Sequence, residues 1–245
     1  MRAARFYLDA PLASNTQIDL PVAVAHHALR VLRLRDEDPI VLFNGLGGEW
    51  QARLSIEGKR AIAVVGAFDA VERESALPIT LVQSWIATEK LDWMLEKSVE
   101  LGVHSIVLAP AQRSVVRITG DRLAKRLERL RDLISAACAQ CGRNRVPTIA
   151  ASSTLEGALR AGLDGSALGV LLEPSALNET LWSRNELINR RITLAVGPEG
   201  GFDHEELSLA TSAGYRPCRL GPRVLRTETA GLAALAALQA IAGDF

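Results

Sequence analysis

The chain has no excess of charge. Its 28 Lys and Arg are matched by 28 Asp and Glu over 245 residues, so bulk charge alone points to no polyanionic partner. Cysteine is scarce, and three residues are too few for a disulfide framework. No apolar run approaches the ~18 residues that a membrane-crossing helix needs. The opening Met1-Arg-Ala-Ala-Arg-Phe-Tyr7 has no signal-peptide hydrophobic stretch, so a cytoplasmic location is expected. Common nucleotide motifs are missing too. Neither glycine loop near the end reads Gly-x-x-x-x-Gly-Lys-Ser/Thr or Gly-x-Gly-x-x-Gly, which argues against a triphosphate cradle and a dinucleotide fingerprint.

What remains is an ordinary globular composition, 48% hydrophobic and 23% charged, long enough for one large or two smaller cores. The charges are unevenly spread. Nine Lys/Arg face three acids between residues 113 and 145, whereas residues 69–100 carry seven acids against three bases. A local basic face on a neutral chain suits a selective RNA enzyme. The helix arginines also fit a solvated face with i,i+4 pairs such as Asp132 with Arg129, whereas Arg143 and Arg145 lie just past the helix, where that account is weaker. Cys138 and Cys141 form Cys-x-x-Cys at the end of a predicted helix. A redox pair belongs at a helix N-terminus, and zinc would need two further ligands. Both cysteines read as core-facing or neutral, and no metal is expected.

In order, residues 5–8, 40–43, 49–54 and 61–65 read as strands, and residues 23–34 as a short helix. Asn44-Gly45 and Gly47-Gly48 supply a hairpin turn. This β-rich start suggests a barrel. The polar stretch 71–78 ends in proline and marks a boundary, dividing the chain into 1–72 and 73–245. Beyond it strands and helices alternate: strand 79–85, helix 89–101 capped by Thr88 and stopped by Gly102, strand 105–109, a helix from Asp121 stopped by Gly142, and strands 168–172 and 192–196. Near-continuous apolar strands of this kind belong to a parallel sheet covered on both faces.

Two loops near the end organise the rest. Residues 194–202 read Leu-Ala-Val-Gly-Pro-Glu-Gly-Gly-Phe, and residues 220–230 read Leu-Gly-Pro-Arg-Val-Leu-Arg-Thr-Glu-Thr-Ala. Each follows a strand-like run and leads into a helix; Asp203 and Glu206 stand at capping-box spacing. Glycine loops at the carboxyl ends of neighbouring strands are where an open α/β sheet binds ligands, although the pattern also accommodates two tight turns. The final helix, 227–242, is apolar on nearly all sides and must be covered all round, either within its own domain or by a partner subunit.

These two loops closely resemble those of the SPOUT methyltransferases, and in detail the RsmE family, which methylates N3 of a uridine in 16S ribosomal RNA. The resemblance extends to residues 27–33 (His-Ala-Leu-Arg-Val-Leu-Arg), 89–102 (Glu-Lys-Leu-Asp-Trp-Met-Leu-Glu-Lys-Ser-Val-Glu-Leu-Gly) and 137–147 (Ala-Cys-Ala-Gln-Cys-Gly-Arg-Asn-Arg-Val-Pro). It implies a SPOUT-type, trefoil-knotted parallel-sheet α/β domain preceded by a small PUA-like β-barrel, and a homodimer through the C-terminal domain. Nothing in the periodicity reveals a knot. The acidic Asp36-Glu37-Asp38-Pro39 departs from what a flank of an RNA groove would carry and is expected to face away from the substrate.

The resemblance further implies S-adenosylmethionine as methyl donor. The matching cofactor positions are Leu172, Glu173, Gly197, Pro198, Glu199, Gly200, Gly201, Leu220, Gly221, Leu225 and Arg226. Glu199 would orient a loop or a ribose hydroxyl rather than act as a base. Uracil N3 is a poor nucleophile until its proton leaves, and a guanidinium can stabilise the resulting charge on O2 or O4. Arg223 or Arg226 is the candidate. Glu228 could orient Arg226, accept the proton, or simply be a first-turn carboxylate favoured by the helix dipole. Arg30, Arg33, Arg113, Arg143 and Arg145 are the candidates for RNA phosphates, with the small ribosomal subunit or its RNA as partner. Competing readings are a SPOUT enzyme acting on a ribose 2′-hydroxyl or on transfer RNA, and a ribosome-assembly factor that lost the chemistry.

Overall fold

The fold is given by a computed structural model that describes residues 3–58, 60–163, 167–177 and 183–245. Contacts divide the chain into two units, residues 1–74 with 135–146, and residues 75–134 with 147–245.

The first unit contains β1 (Ala4–Tyr7), β2 (Thr16–Asp19), α1 (Val22–His26), β3 (Pro39–Phe43), β4 (Glu49–Glu57) and β5 (Arg60–Asp69). The strand order is β1-β3-β4-β5-β2, with β1 and β3 parallel and the other pairs antiparallel. Alternation builds its core: Ala52 and Leu54 point inward from β4 while Gln51 and Arg53 are exposed, and Phe6, Leu8, Ile40, Leu42 and Val65 complete the packing. The helix predicted over residues 23–34 is different. After α1 the chain winds into a π turn, His27–Val31, where Leu32 N–H reaches back to His27 O, and it ends at Arg33 with φ +55°. So wound, Val24, Ala25, Ala28 and Leu29 all pack on the core.

Residues 135–146 enter this unit through a buried polar lattice. Glu49 accepts from Arg5 and from Arg73 (3.0 Å), and Arg5 also donates to Asn144 Oδ1 and to Arg143 O. Asn144 Nδ2 donates to Val71 O (3.1 Å), and Arg73 donates to Gly142 O (2.9 Å). Arg143 is 5% exposed, and its guanidinium closes on the Glu74 carboxylate. Arg145 stays outside, paired to Glu72 (2.7 Å). Cys138 is buried here, and burial pushes its thiol up to about 12, the opposite of the depression a redox cysteine needs.

The second unit holds β6 (Ile79–Ser84), α2 (Thr88–Glu100), β7 (Ser105–Ala109), α3 (Asp121–Cys141, leaving the unit at residue 135), β8 (Thr148–Ala151), α4 (Leu155–Gly162), β9 (Ala167–Leu172), α5 (Arg184–Leu187), β10 (Arg191–Val196), α6 (His204–Ser212), β11 (Tyr215–Cys218) and α7 (Thr227–Ala242). Its six strands are all parallel, in the order β11-β9-β10-β6-β7-β8. Every residue of 192–196 is buried, as the apolar run required. Gly102 and Gly142 follow α2 and α3 with φ of +78° and +97°, a backbone only glycine adopts cheaply. Thr88, expected as a cap, is the first helical residue, and Ala87 holds the cap position without a side-chain bond.

The Asp203–Glu206 capping box forms as the spacing predicted, with bonds of 2.9 Å in both directions. Asp203→Ala should therefore destabilise the protein by about 1 kcal/mol in urea unfolding; an unchanged midpoint would show that the cap contributes nothing. α7 packs on β6, β10 and α2, burying Leu232, Leu235 and Leu238. Gln239, one of its few polar residues, is buried too, donating to Leu101 O and accepting from Ser75. Ala230, Ala233, Ala236 and Ala237 remain partly exposed, so the unit covers one side of a helix that reads apolar all round. Among the described residues no helix is long and apolar enough to cross a membrane.

Candidate functional site

A cavity of about 380 Å³ opens at the carboxyl ends of β9, β10 and β11, within the range of roughly 300–1,000 Å³ typical of small-molecule pockets. The strands deliver Leu172, Val196 and Cys218 to its floor. The loop after β10 brings Gly197, Pro198, Glu199, Gly201 and Phe202. The loop after β11 brings Arg219, Leu220, Arg223, Val224, Leu225 and Arg226, and α7 adds Thr227, Glu228 and Ala230. Glu173 and Pro174 close the β9 side, and Lys90 reaches in from α2.

Of the cofactor positions expected from the sequence, nine of the eleven therefore line this cavity; Gly200 and Gly221 do not. Gly200 instead backs onto Arg113, whose guanidinium donates to Gly200 O (2.9 Å) and Phe202 O (3.4 Å). Gly197 has little room for a side chain: a Cβ there would lie 3.2 Å from both the Phe202 ring and the Phe202 nitrogen, so one of them would have to give by a few tenths of an ångström. Lys90, Phe202 and Thr227 are additions that the sequence had not singled out, although all three stand within the motifs given above.

Electrostatics separates the ionisable groups. Burial disfavours the charge on Glu199, but the N–H groups of Glu199 and Ala87 and the Lys90 ammonium (3.2 Å) outweigh it and hold the carboxyl below its ordinary value. Such a group stays ionised and makes a poor base. Arg223 and Arg226 are exposed, and neither guanidinium has a hydrogen bond or ion pair among the described residues. Glu228 is not joined to Arg226. Among the described residues its Oε2 is buried without any partner, an orphaned acceptor at a largely apolar pocket.

The expected RNA-binding arginines separate as well. Arg30 and Arg33 are exposed on and just after the π turn of the first unit, and Arg145 is 53% exposed at its side chain. Arg143 is a correction. Buried and closed on Glu74, it has no face to offer a phosphate, because the sequence block that suggested RNA contact is built into the first unit's core.

Comparison with known proteins agrees with this geometry. A family model for an RNA methyltransferase domain matches residues 73–239, and one for an RNA methyltransferase PUA domain matches residues 20–65. The chain is 30% identical to the ribosomal RNA small subunit methyltransferase E of Buchnera aphidicola subsp. Acyrthosiphon pisum, over 98% of this chain and 94% of that one. A crystal structure of the ribosomal RNA small subunit methyltransferase E from Neisseria gonorrhoeae, bound to S-adenosyl methionine, superposes with a TM-score of 0.90 at 38% identity, covering 100% of both chains. A putative methyltransferase from Legionella pneumophila, also in complex with this cofactor, superposes with a TM-score of 0.93 at 33% identity and the same coverage. The expected architecture, an α/β methyltransferase domain preceded by a PUA-like domain, holds. A parallel sheet with its cavity at the strand ends and these matches defines an RNA methyltransferase. The chain belongs to the ribosomal RNA small subunit methyltransferase E family.

Proposed function

We propose that the protein transfers a methyl group from S-adenosylmethionine to N3 of a uridine in the 16S RNA of the small ribosomal subunit. The observation that carries the reading is a glycine-loop cavity with two unpartnered guanidiniums, Arg223 and Arg226, on its wall. The pocket fits the donor in its own terms: Leu172, Pro198, Leu220 and Leu225 give apolar surface, and the orphaned Glu228 Oε2 awaits a donor. When bound, S-adenosylmethionine supplies a methyl group already activated as a sulfonium, so alignment matters more than acid catalysis.

The chain's own residues then handle the acceptor. A guanidinium from Arg226 or Arg223 donates to uracil O2 or O4 and favours the N3 anion without taking its proton. The proton passes to Glu228 or to water, leaving the N3 lone pair free; with the donor bound, N3 would take the methyl group as the S–CH3 bond breaks and its electron pair stays on sulfur as a neutral thioether. Glu199, held ionised by Lys90 and backbone N–H groups, orients the loop. The second unit, residues 75–134 with 147–245, carries this chemistry, and the first unit, residues 1–74 with 135–146, holds RNA, with Arg30, Arg33 and Arg145 on phosphates. The target base, embedded in folded RNA, is splayed out for reaction. The partly exposed Ala230, Ala233 and Ala237 of α7 suit close approach of a second copy, giving a homodimer. The chain between β10 and α7 takes the knotted path of SPOUT enzymes, and the protein works in the cytoplasm.

Arg113 tests how the labour is divided. Since its bond to Gly200 O braces the loop, Arg113→Ala should weaken S-adenosylmethionine binding roughly fivefold, equivalent to about 1 kcal/mol for one hydrogen bond. A flatter salt dependence of RNA binding with unchanged cofactor affinity would return Arg113 to the RNA footprint. The function itself is tested by mass spectrometry of ribosomal RNA nucleosides from a strain lacking the protein, before and after adding purified protein and S-adenosylmethionine. Loss and return of 3-methyluridine is expected. A different missing nucleoside would overturn the substrate, and no change at all would favour an assembly factor.

A further inference from the structure

One buried side chain outside the cavity touches both of its loops. Gln83 lies in β6, a strand that is otherwise apolar at its buried positions apart from Ser84, and it is 0% exposed. Its Nε2 lies 3.0 Å from Ser84 O, 3.1 Å from Thr227 Oγ1 and 3.4 Å from Gly197 O. The Thr227 hydroxyl in turn donates to Gly197 O at 2.6 Å. With two amide protons for three acceptors, one serves Ser84 O and the other is shared between the hydroxyl and the Gly197 carbonyl. Turning the amide over would set its oxygen against two carbonyl oxygens, so this orientation is fixed by its neighbours. The remaining Oε1 is buried with no partner among the described residues. A buried amide that leaves its oxygen unsatisfied is a standing cost, and apolar residues of similar size would avoid it.

What the amide holds explains its presence. Gly197 begins the first cavity loop and precedes Pro198, which has no N–H. The carbonyl is thus the one polar handle on the Gly197–Pro198 peptide plane, and two donors grip it. Thr227 begins α7, directly after Arg226, where the second cavity loop ends. A single polar contact set therefore fixes the exit of β10 and the entry to α7 against the end of β6.

We infer that Gln83 is a positioning residue that, through Thr227 and the Gly197 carbonyl, holds the two cofactor loops in their binding-competent register. The inference rests on the reading of this cavity as the S-adenosylmethionine site and not on the identity of the RNA.

Isothermal titration of the full-length protein with S-adenosylmethionine tests it, using Gln83→Leu, Thr227→Val, Thr227→Ser and the Gln83→Leu/Thr227→Val double variant. The two single deletions should each raise Kd at least tenfold while RNA affinity holds. Thr227→Ser, which keeps the hydroxyl, should bind like the parent. The double variant should be little worse than either single one, because both deletions release the same carbonyl. Should Gln83→Leu fail to fold, the Thr227 pair still decides the matter. Folded variants that all bind within twofold of the parent would overturn the inference, as would equal losses in Thr227→Ser and Thr227→Val. A parent protein that binds no S-adenosylmethionine would instead overturn the assignment of the cavity.

Discussion

Arg226→Ala is expected to slow methyl transfer roughly 10²–10³-fold, the loss typical of removing one preorganised donor to a developing oxyanion, while affinity for S-adenosylmethionine changes little. The backbone explains why Arg226 should matter more than Arg223. Arg226 is the N-cap of α7, and its carbonyl accepts from Thr229 and Ala230 N–H at 2.9 and 2.8 Å. The next residue, Thr227, is itself tied to Gly197. A guanidinium rooted at that point has a fixed origin and no partner to leave, so little reorganisation is needed when charge appears on the uracil oxygen. Arg223 lies three residues earlier in the loop, without such anchors. Arg226→Lys should recover only part of the rate, since an ammonium keeps the charge but lacks the planar fork. Single-turnover kinetics with saturating cofactor would measure this directly. If Arg226→Ala and Arg223→Ala both react at the parental rate, neither is the electrostatic partner of the uracil.

Much of the site was legible in the sequence because its parts are local. Glycine-proline steps, the Asp203–Glu206 spacing and the run into α7 each occupy a few consecutive residues, and the structure gathers nine of the eleven expected cofactor positions around one cavity. β8, α4 and α5 were not read from the sequence, and neither were two strands whose sequence carries little period. β2 is a four-residue edge strand with exposed Thr16, Gln17 and Asp19, and β11 is four residues long with Pro217 inside it. The π turn escaped because its sequence reads as an ordinary helix until tertiary packing winds it. Arg143 and Gln83 show the other limit. A polar residue in sequence announces neither which partner it will meet nor whether water will reach it. Glu74 lies 69 positions from Arg143, and Thr227 lies 144 from Gln83. Only the fold brings them together. In Gln83 a clue existed, a polar amide inside an apolar parallel strand, where burial demands hydrogen-bond partners.

The largest stability effect is expected at Glu49, in the first unit. Its carboxylate is shared by Arg5 and Arg73, with side chains only 6–7% exposed for Arg5 and Glu49. Arg5 extends from it to Asn144 and lies 5.0 Å from the centre of the Phe43 ring. Glu49→Gln keeps the shape but leaves Arg5 buried without its counter-charge, which costs about 3–5 kcal/mol when one partner of a buried pair is removed. Loosening should reach residues 142–146 as well, since Arg5 and Arg73 hold Arg143 O, Asn144 and Gly142 O. The pH dependence provides an independent check. Burial pushes the Glu49 carboxyl up, but hydrogen bonds and charge from Arg73 and Arg5 outweigh it, leaving it below its ordinary 4.5. A carboxyl whose folded value is depressed contributes its full stability above the unfolded value and loses it as pH falls through the folded one. The gap between parent and Glu49→Gln in urea unfolding should therefore be full at pH 7 and should shrink once the pH falls below 4.5. A gap that stays constant from pH 7 to well below that value would mean that the amide disrupts packing rather than charge. A variant as stable as the parent at pH 7 would mean that the two arginines are satisfied without Glu49, and that the buried lattice joining residues 135–146 to the first unit rests on Asn144 and Glu74 instead.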